Sequence, residues 1–348
     1  MAKNKSKISS SVKIIFFVLI ITVTYFFAQS LLMPKYVTDI KEGTLIAEFY
    51  SEKDKNFDVF FIGDCEVYEN FSPVKLWTEY GINSYIRGSA KQTVWQSYYI
   101  LEDTLRYTKP RLVVFSVLSL IYNEPVDEAY NRMTLDGMRW SKYKIASIRE
   151  SMNDDEKMIE YIFPLLRYHD RWDELGREDI KYIFSRPLNS HNGYLMRTDV
   201  RPAESIPKGR VLGDYTFGNR AMDYLDRIRK LCEEEKIELL LVKAPSLYPY
   251  WYAEYEKQVE AYADKYDLNY INYLELEEDT GIDYLKDTYD AGLHLNLYGA
   301  EKLSAVIGKT LRNIYKIPDR RGDLHLNEIW LKKIESYEAE IAAQKAEQ

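Results

Sequence analysis

The chain has 348 residues, of which 46% are hydrophobic, and it carries a formal net charge of -8. This length allows one large or two medium-sized domains, and the hydrophobic content is sufficient for a sizeable core. The acidic balance, without a basic stripe, argues against nucleic-acid binding. The two cysteines are too few for a disulfide framework in a domain of this size.

The N-terminal segment predicts a membrane anchor. Residues 14–33 form an uncharged, largely apolar run, which as a helix spans about 30 Å, the thickness of a bilayer core. Lysines at positions 3, 5, 7 and 13 precede this run and no acid does, so the positive-inside rule predicts a cytoplasmic N-terminus (residues 1–13) and an extracellular C-terminal domain. A cleaved signal peptide is the alternative, because Ala28-Gln-Ser30 resembles a cleavage site. The length of the run favours the uncleaved, single-pass signal-anchor.

After a predicted polar stalk (residues 34–56), the sequence pattern becomes that of an α/β domain. Strands are predicted at residues 58–62, 82–86, 111–117, 237–242 and 269–273. Helices are predicted at residues 66–80, 92–107, 217–235, 252–266 and 297–314. Apolar strands that alternate with helices predict a parallel sheet covered on both faces. The active crevice of such a sheet lies at the carboxyl ends of its strands.

Residues 118–213 interrupt this alternation and are predicted to form a large, mostly helical insertion in an α/β domain that spans residues 57–317. The insertion is interpreted either as a lid or substrate platform, or as a decorative subdomain. Residues 318–348 predict a C-terminal helical tail that is solvated or binds a partner. His191 and His325 are both predicted to lie at the surface.

Two segments far apart in the chain carry the candidate chemistry. Residues 58–65 form an apolar run that ends at a glycine and an acid, a pattern typical of a buried strand that delivers a nucleophile, Cys65. His294 precedes a predicted helix, and Asp290 lies four residues upstream of it. Because a triad is defined by geometry, these three side chains can act as nucleophile, base and orienting acid. The alternative for Cys65 is a small buried hydrophobe.

These segments resemble the SGNH/GDSL hydrolase superfamily, with a cysteine in place of the usual serine. Gly63-Asp64-Cys65 matches all but the last residue of the Gly-Asp-Ser block. Gly88 matches the glycine whose N–H contributes to the oxyanion hole. The third block is not recognisable, and only Asn123 stands where its oxyanion-hole amide belongs. Residues 294–303 match the helix that follows the catalytic histidine.

The final block departs from the superfamily pattern in its acid. The usual spacing places the acid three residues before the histidine, where this chain has Ala291. Asp290 lies one residue further upstream, and Gly292 between them permits a local bulge. Asp287 is a weaker substitute.

The resemblance implies a three-layer, flavodoxin-like fold and acyl transfer or ester hydrolysis at the Cys65, His294 and Asp290 site. Membrane-anchored members of this kind are similar to bacterial accessory proteins of membrane-bound O-acyltransferases. A partner of that type and a glycan or cell-wall polymer as acceptor are therefore expected, at the cell membrane. No cofactor is expected, and no histidine, cysteine and acid cluster has metal-ligand spacing. The alternatives are a catalytically inactive scaffold that recruits an acyltransferase, and a plain esterase.

Overall fold

The computed structural model describes residues 10–36, 40–41, 43–185, 188–206, 208–249 and 251–347. They fall into two compact units. The first, called here the N-terminal unit, consists of Met1–Glu42 and Lys157–Pro187. The second, called the sheet unit, consists of Gly43–Glu156 and Leu188–Gln348.

The helices, in chain order, are α1 (Ser10–Leu32), α2 (Thr44–Ala47), α3 (Cys65–Asn70), α4 (Pro73–Tyr80), α5 (Val94–Thr104), α6 (Glu128–Leu135), α7 (Lys142–Ser151), α8 (Met158–Ile162), α9 (Leu165–Tyr168), α10 (Arg177–Phe184), α11 (Asn219–Glu235), α12 (Ala253–Tyr266), α13 (Glu277–Thr280), α14 (Leu297–Asn313) and α15 (Leu324–Glu347).

A five-stranded parallel sheet forms the centre of the sheet unit. Its strands are β1 (Val59–Gly63), β2 (Ser84–Gly88), β3 (Leu112–Ser116), β4 (Glu238–Lys243) and β5 (Asn269–Asn272). They lie in the order β2-β1-β3-β4-β5, which places the crevice of a doubly wound sheet at the carboxyl ends of β1 and β3. Every residue of β1, β2 and β3 is buried, which explains their continuous apolar runs. The predicted α/β class is confirmed.

Two hydrophobic clusters cover the two faces of this sheet. Phe61 belongs to one cluster, together with side chains of α3, α4, α14 and α15. Phe60 and Ile62 belong to the other, together with side chains of α5, α11 and α12. This separation follows from the alternation of side chains along a strand. The three-layer arrangement holds Cys65 and His294 on helices or loops of the same face.

The predicted helix at residues 66–80 is divided into α3 and α4. Ser72 accepts a hydrogen bond from the Lys75 backbone N–H at 3.2 Å, and Pro73 occupies the first turn of α4. Serine at the N-cap and proline at the first helical position are strong signals for a helix start. The chain therefore ends α3 before this pair and begins a new helix.

Parts of the chain outside the predicted core also pack into the sheet unit. In the predicted stalk, Ile46 and Phe49 are fully buried, so this part of the chain differs from a free polar linker. Within the predicted insertion, the Asn192 carbonyl accepts a hydrogen bond from the Ile86 N–H at 2.9 Å and so covers the edge strand β2. In α15, Trp330 stacks on Trp77 with ring centroids 5.0 Å apart. The C-terminal helix is thus part of the core on one side.

The N-terminal unit contains α1 together with α8, α9 and α10. Within this unit, Lys35–Tyr36 pairs antiparallel with Ile40–Lys41. Among the described residues, one helix, α1, is long and apolar enough to cross a membrane, with a mean hydropathy of 2.2. A signal sequence satisfies the same criterion.

Candidate active site

Cys65 is the first residue of α3 and follows β1 directly. Asp64 caps this helix, because its Oδ1 accepts the Glu66 N–H at 3.2 Å. Gly63 has a φ of 155°, and a Cβ there would lie 2.7 Å from the Ser116 Cβ. Only glycine therefore fits between β1 and β3 at this sharp turn. The turn presents the partly exposed Cys65 thiol at the carboxyl end of the sheet.

His294 and Asp290 lie at one turn of the loop before α14. The His294 Nδ1 is 2.6 Å from Asp290 Oδ2, and the His294 backbone N–H donates to Asp290 Oδ1 at 2.8 Å. Ala291 and Gly292 both have positive φ values, 63° and 97°. These two left-handed residues accommodate the extra residue between acid and base. Asp287 lies elsewhere, paired with Lys302 at 2.6 Å.

The Cys65 thiol lies beside the His294 ring, close enough for the charges of the two groups to interact. Because carboxylates contact Nδ1, Nε2 is the ring nitrogen left for the thiol. The structure thus brings together three of the predicted site residues, Cys65, His294 and Asp290, in the geometry of a nucleophile, base and orienting acid. The sequence separates Cys65 from the other two by more than 200 residues.

A second carboxylate, Glu69, also contacts His294. The sequence patterns did not predict it as a site residue. Its Oε2 lies 3.1 Å from Nδ1 and accepts a hydrogen bond from the Tyr289 hydroxyl. The Tyr289 ring stacks on the imidazole, with centroids 6.1 Å apart and planes 14° apart. Glu69 follows Cys65 by four residues on α3, and this spacing places both on one helix face. That spacing is the signal that could have identified it.

These neighbours set the protonation of the pair. Burial raises the pKa of the Cys65 thiol to about 11, and the His294 cation opposes this rise. Burial alone would lower the pKa of His294, but the charges of Glu69 and Cys65 and the hydrogen bond to Asp290 raise it well above its usual value. These contacts favour the imidazolium form of His294 beside the thiol. Ionisation of the thiol depends on that cation.

The two predicted oxyanion donors have different surroundings. Gly88 ends β2 beside Gly63, and a Cβ at Gly88 would lie 3.2 Å from the Asp64 carbonyl oxygen. Its backbone therefore adjoins the start of α3, as an oxyanion donor requires. The Asn123 carboxamide oxygen instead accepts the Arg220 N–H at 3.1 Å, at the start of α11. The structure thus places the Asn123 oxygen in a helix cap.

Tyr122 is a further side chain near the nucleophile. Burial raises the pKa of its phenol, and the charges of Asp64 and Cys65 raise it further. A phenol in these surroundings stays protonated and keeps its hydrogen for donation. No pattern in the sequence distinguishes Tyr122 from the other tyrosines of the chain, which number 31 in all.

A buried polar cluster lies at the strand ends behind Cys65. Glu66 forms an ion pair with Lys243, the last residue of β4. The Ser116 hydroxyl, at the end of β3, donates to Glu66 Oε2 at 3.2 Å and to Asp64 Oδ1 at 3.3 Å. Burial raises the pKa of Asp64 to about 7, and the Glu66 charge adds to this rise. The cluster ties three strand ends to the start of α3.

Some of the same residues are of the types that ligate metal ions. Among the described residues, Glu69, Asp290 and His294 form one group whose ligand atoms lie within 4.8 Å of one another. Two carboxylates and one imidazole can ligate a divalent cation. In this structure Asp290 Oδ2 and Glu69 Oε2 lie 2.6 and 3.1 Å from His294 Nδ1. The hydrogen-bonded arrangement accounts for the group.

Comparisons with known proteins give similarity at the level of distant structures. No family model and no curated protein matches the chain. A protein from Bacteroides fragilis described as an acylhydrolase is 12% identical, with a TM-score of 0.36, and the match covers 82% of this chain and 94% of that one. A GDSL-like lipase from Bacteroides thetaiotaomicron is also 12% identical, with a TM-score of 0.36, over 78% of this chain and 98% of that one.

Proposed function

We propose that the chain is an acyl-transfer enzyme that uses Cys65 as nucleophile. The observation that carries this proposal is the placement of the Cys65 thiol beside the His294 ring, whose Nδ1 lies 2.6 Å from Asp290 Oδ2. These residues lie at the carboxyl end of the sheet, where such folds hold their active sites. A merely structural thiol would not require a buried histidine held by two carboxylates.

The proposed reaction has two halves. The reactive form is the Cys65 thiolate paired with the His294 imidazolium. In the first half, the Cys65 thiolate attacks the acyl carbonyl carbon, and the oxyanion accepts a hydrogen bond from the Gly88 N–H. His294 gives its proton to the departing oxygen, which leaves a thioester on Cys65. In the second, His294 takes the proton of an acceptor hydroxyl, whose oxygen attacks the thioester carbon, and Cys65 leaves as a thiolate. With water as acceptor, the same site is an esterase.

Tyr122 supplies a candidate second donor to the oxyanion. The Asn123 carboxamide oxygen caps α11, and removal of one donor typically costs about 3 kcal/mol of transition-state stabilisation. The Tyr122 phenol lies close enough to Cys65 for the two charges to interact. Tyr122→Phe removes only the hydroxyl. It should lower kcat with little change in KM if the phenol acts on the oxyanion.

The proposed setting is the outer face of a bacterial cell membrane. The apolar α1 would be retained as a single-pass anchor, with the lysine-rich N-terminus in the cytoplasm. Contacts within the N-terminal unit favour retention over cleavage, because Met33 is buried there and Arg171 donates to the Leu32 carbonyl at 2.5 Å. The acceptor would be a glycan or cell-wall polymer, and the partner a membrane-bound O-acyltransferase.

The second candidate function is a catalytically inactive scaffold that recruits such an acyltransferase. The packing of Asn123 favours it, because this side chain lies against Gly218 and Arg220 at the start of α11, whereas Gly88 adjoins the start of α3. The two functions differ in whether Cys65 is acylated. In cells, acylation of the surface polymer should be lost in Cys65→Ala if the chain is the enzyme, and should persist if it is a scaffold.

The direct test is acylation of the purified full-length chain by an activated acetyl ester, followed by intact mass. We expect a gain of one acetyl group that is absent in Cys65→Ala and slowed in His294→Asn. Cys232→Ala is the matched control, because burial raises the pKa of that thiol to about 12 and its loss should leave the adduct unchanged. An adduct that survives in Cys65→Ala would sink the proposal.

A further inference from the structure

The N-terminal unit exposes an apolar surface outside α1. Ile159, Ile162, Phe163 and Leu166 are between 42% and 52% exposed. Ile159 and Ile162 lie on α8, Phe163 follows the end of that helix, and Leu166 lies on α9. Residues 161–166 carry no charge. In a water-facing helix this outer face would be polar. These four residues are called the apolar face below.

Three contacts place this region along α1. The Phe163 ring meets the Tyr25 ring edge to face, with centroids 6.1 Å apart. Arg171 donates to the Leu32 carbonyl. Lys35, just beyond the helix end, forms a 3.0 Å ion pair with Asp179. The apolar contact is thus furthest from the end of α1, and the charged contacts are at that end.

The charged contacts mark where α1 ends. The Lys35 ammonium donates to the carbonyls of Ser30 and Met33 at 3.2 and 3.0 Å. The last carbonyls of a helix commonly accept hydrogen bonds from basic side chains, and a cation beside a helix C-terminus interacts favourably with the helix dipole. Lys35 and Arg171 therefore fix the water-side boundary of the apolar helix. Trp172 follows Arg171 and is largely exposed, as is typical of residues at a membrane surface.

From this geometry we propose that the apolar face lies in the outer leaflet of the membrane that α1 spans. The inference rests on the anchor proposed above and goes beyond it. Tyr25 and Leu32 are seven residues apart, so at a rise of about 1.5 Å per residue Phe163 lies about 10 Å below the helix end. Interfacial helices bury their apolar faces to a depth of about 5–10 Å. If α1 crosses a bilayer, Phe163 lies at lipid depth.

A lipid surface fits the apolar face better than a protein partner does. A specific protein interface buries about 800 Å² on each side, with roughly 20–30 residues, whereas this face has four large side chains. It is also continuous with the exposed apolar side chains of α1, through the contact between Phe163 and Tyr25. Lipid already has to cover those side chains. Residues 158–184, which contain α8, α9 and α10, then lie at the membrane surface beside a spanning helix.

The test uses the full-length chain, alone in lipid nanodiscs, with an environment-sensitive fluorophore on one cysteine. Cys65→Ser and Cys232→Ala remove the native thiols. Separate variants carry the fluorophore at Phe163→Cys or at Leu166→Cys. Leu166 lies on the same face and makes no ring contact with Tyr25, so it gives a second measurement if the loss of Phe163 disturbs folding.

Two control positions define the limits of the measurement. Val23→Cys lies near the middle of α1, and Leu331→Cys lies exposed on α15 in the sheet unit. We expect lipids brominated close to the headgroup to quench the probes at 163 and 166 several-fold more than the probe at 331. Lipids brominated near the chain ends should quench the probe at 23 most.

Each outcome has one meaning. Quenching at 23 with values at 163 and 166 equal to that at 331 overturns the lipid assignment and leaves the anchor intact. The apolar face would then be open to a protein partner. Absence of quenching at 23 as well refutes the anchor itself, and with it the membrane part of the proposed function.

Discussion

Removal of the Glu69 charge should lower the pKa of His294. Glu69→Gln keeps the size of the side chain and its acceptor oxygen for the Tyr289 hydroxyl, and it removes one negative charge 3.1 Å from Nδ1. The measurement is made in a Cys65→Ser background, so that the thiol no longer titrates with the imidazole. In that background Glu69 and Asp290 are the carboxylates in direct contact with the ring.

The size of the effect follows from the distance. At 3.1 Å, two unit charges interact by about 1 kcal/mol at the dielectric constant of water and by about 5 kcal/mol at an effective value of about 20. One pKa unit corresponds to about 1.4 kcal/mol, and a close opposite charge typically shifts a pKa by about 1–3 units. We therefore expect the His294 pKa to fall by about 1–3 units.

The assay is a pH titration of the histidine ring signals by heteronuclear NMR. The chain has four histidines, and His294→Gln identifies the signal of interest. The change in pKa caused by Glu69→Gln should be confined to that signal. Asp290→Asn, at the 2.6 Å contact, should lower the same pKa. An unchanged His294 midpoint in Glu69→Gln would refute the inference that the second carboxylate holds the imidazolium.

Three further predictions concern the free energy of unfolding, measured by urea titration in detergent. Lys243→Met leaves the Glu66 carboxylate buried without its cation, and should lower the free energy of unfolding by about 3–5 kcal/mol. The double variant Lys243→Met with Glu66→Gln should recover most of this loss. Equal losses in the single and double variants would contradict the pairing. Burial raises the pKa of Asp64 to about 7. A carboxyl with a raised pKa destabilises the fold progressively as pH rises from about 4 to about 7. Asp64→Asn should therefore stabilise the chain by at most about 4 kcal/mol near pH 8 and by little near pH 4. Trp330→Ala should cost about 3–5 kcal/mol, against less than about 1 kcal/mol for the exposed neighbour Leu331→Ala; similar losses would mean that α15 does not pack on α4.

Most of the sheet could be predicted from the sequence because parallel strands are buried on both faces. Their apolar runs are therefore continuous, and each predicted strand coincides with an observed one to within about two residues, the usual uncertainty of strand ends. The predicted stalk failed for a related reason. Ile46 and Phe49 are too few and too irregularly spaced to form a strand or helix pattern, yet they fill a gap beside the sheet. His191 also differs from its predicted surface position, because it is buried and lies 2.7 Å from Glu340 of α15.

The candidate site was predictable where local geometry forces a residue type. A sharp turn after a strand requires Gly63, and a tight loop before a helix favours the glycine between Asp290 and His294. Glu69 and Tyr122 carry no such requirement. Their proximity to the site arises from how α3 and the segment after β3 pack, and side chains that meet only in the folded chain leave no local pattern.

The carboxylates around His294 also bear on why the proposed nucleophile is a thiol. A serine hydroxyl must give its proton to a neutral imidazole as it attacks, and an imidazole already protonated cannot accept it. A thiol is a much stronger acid and can ionise beside an imidazolium, and the thiolate is itself the nucleophile. Burial raises the pKa of Cys65, so the retained charge on His294 is what favours ionisation. Glu69 and Cys65, one turn apart on α3, therefore act together: the acid keeps the cation that the thiol requires.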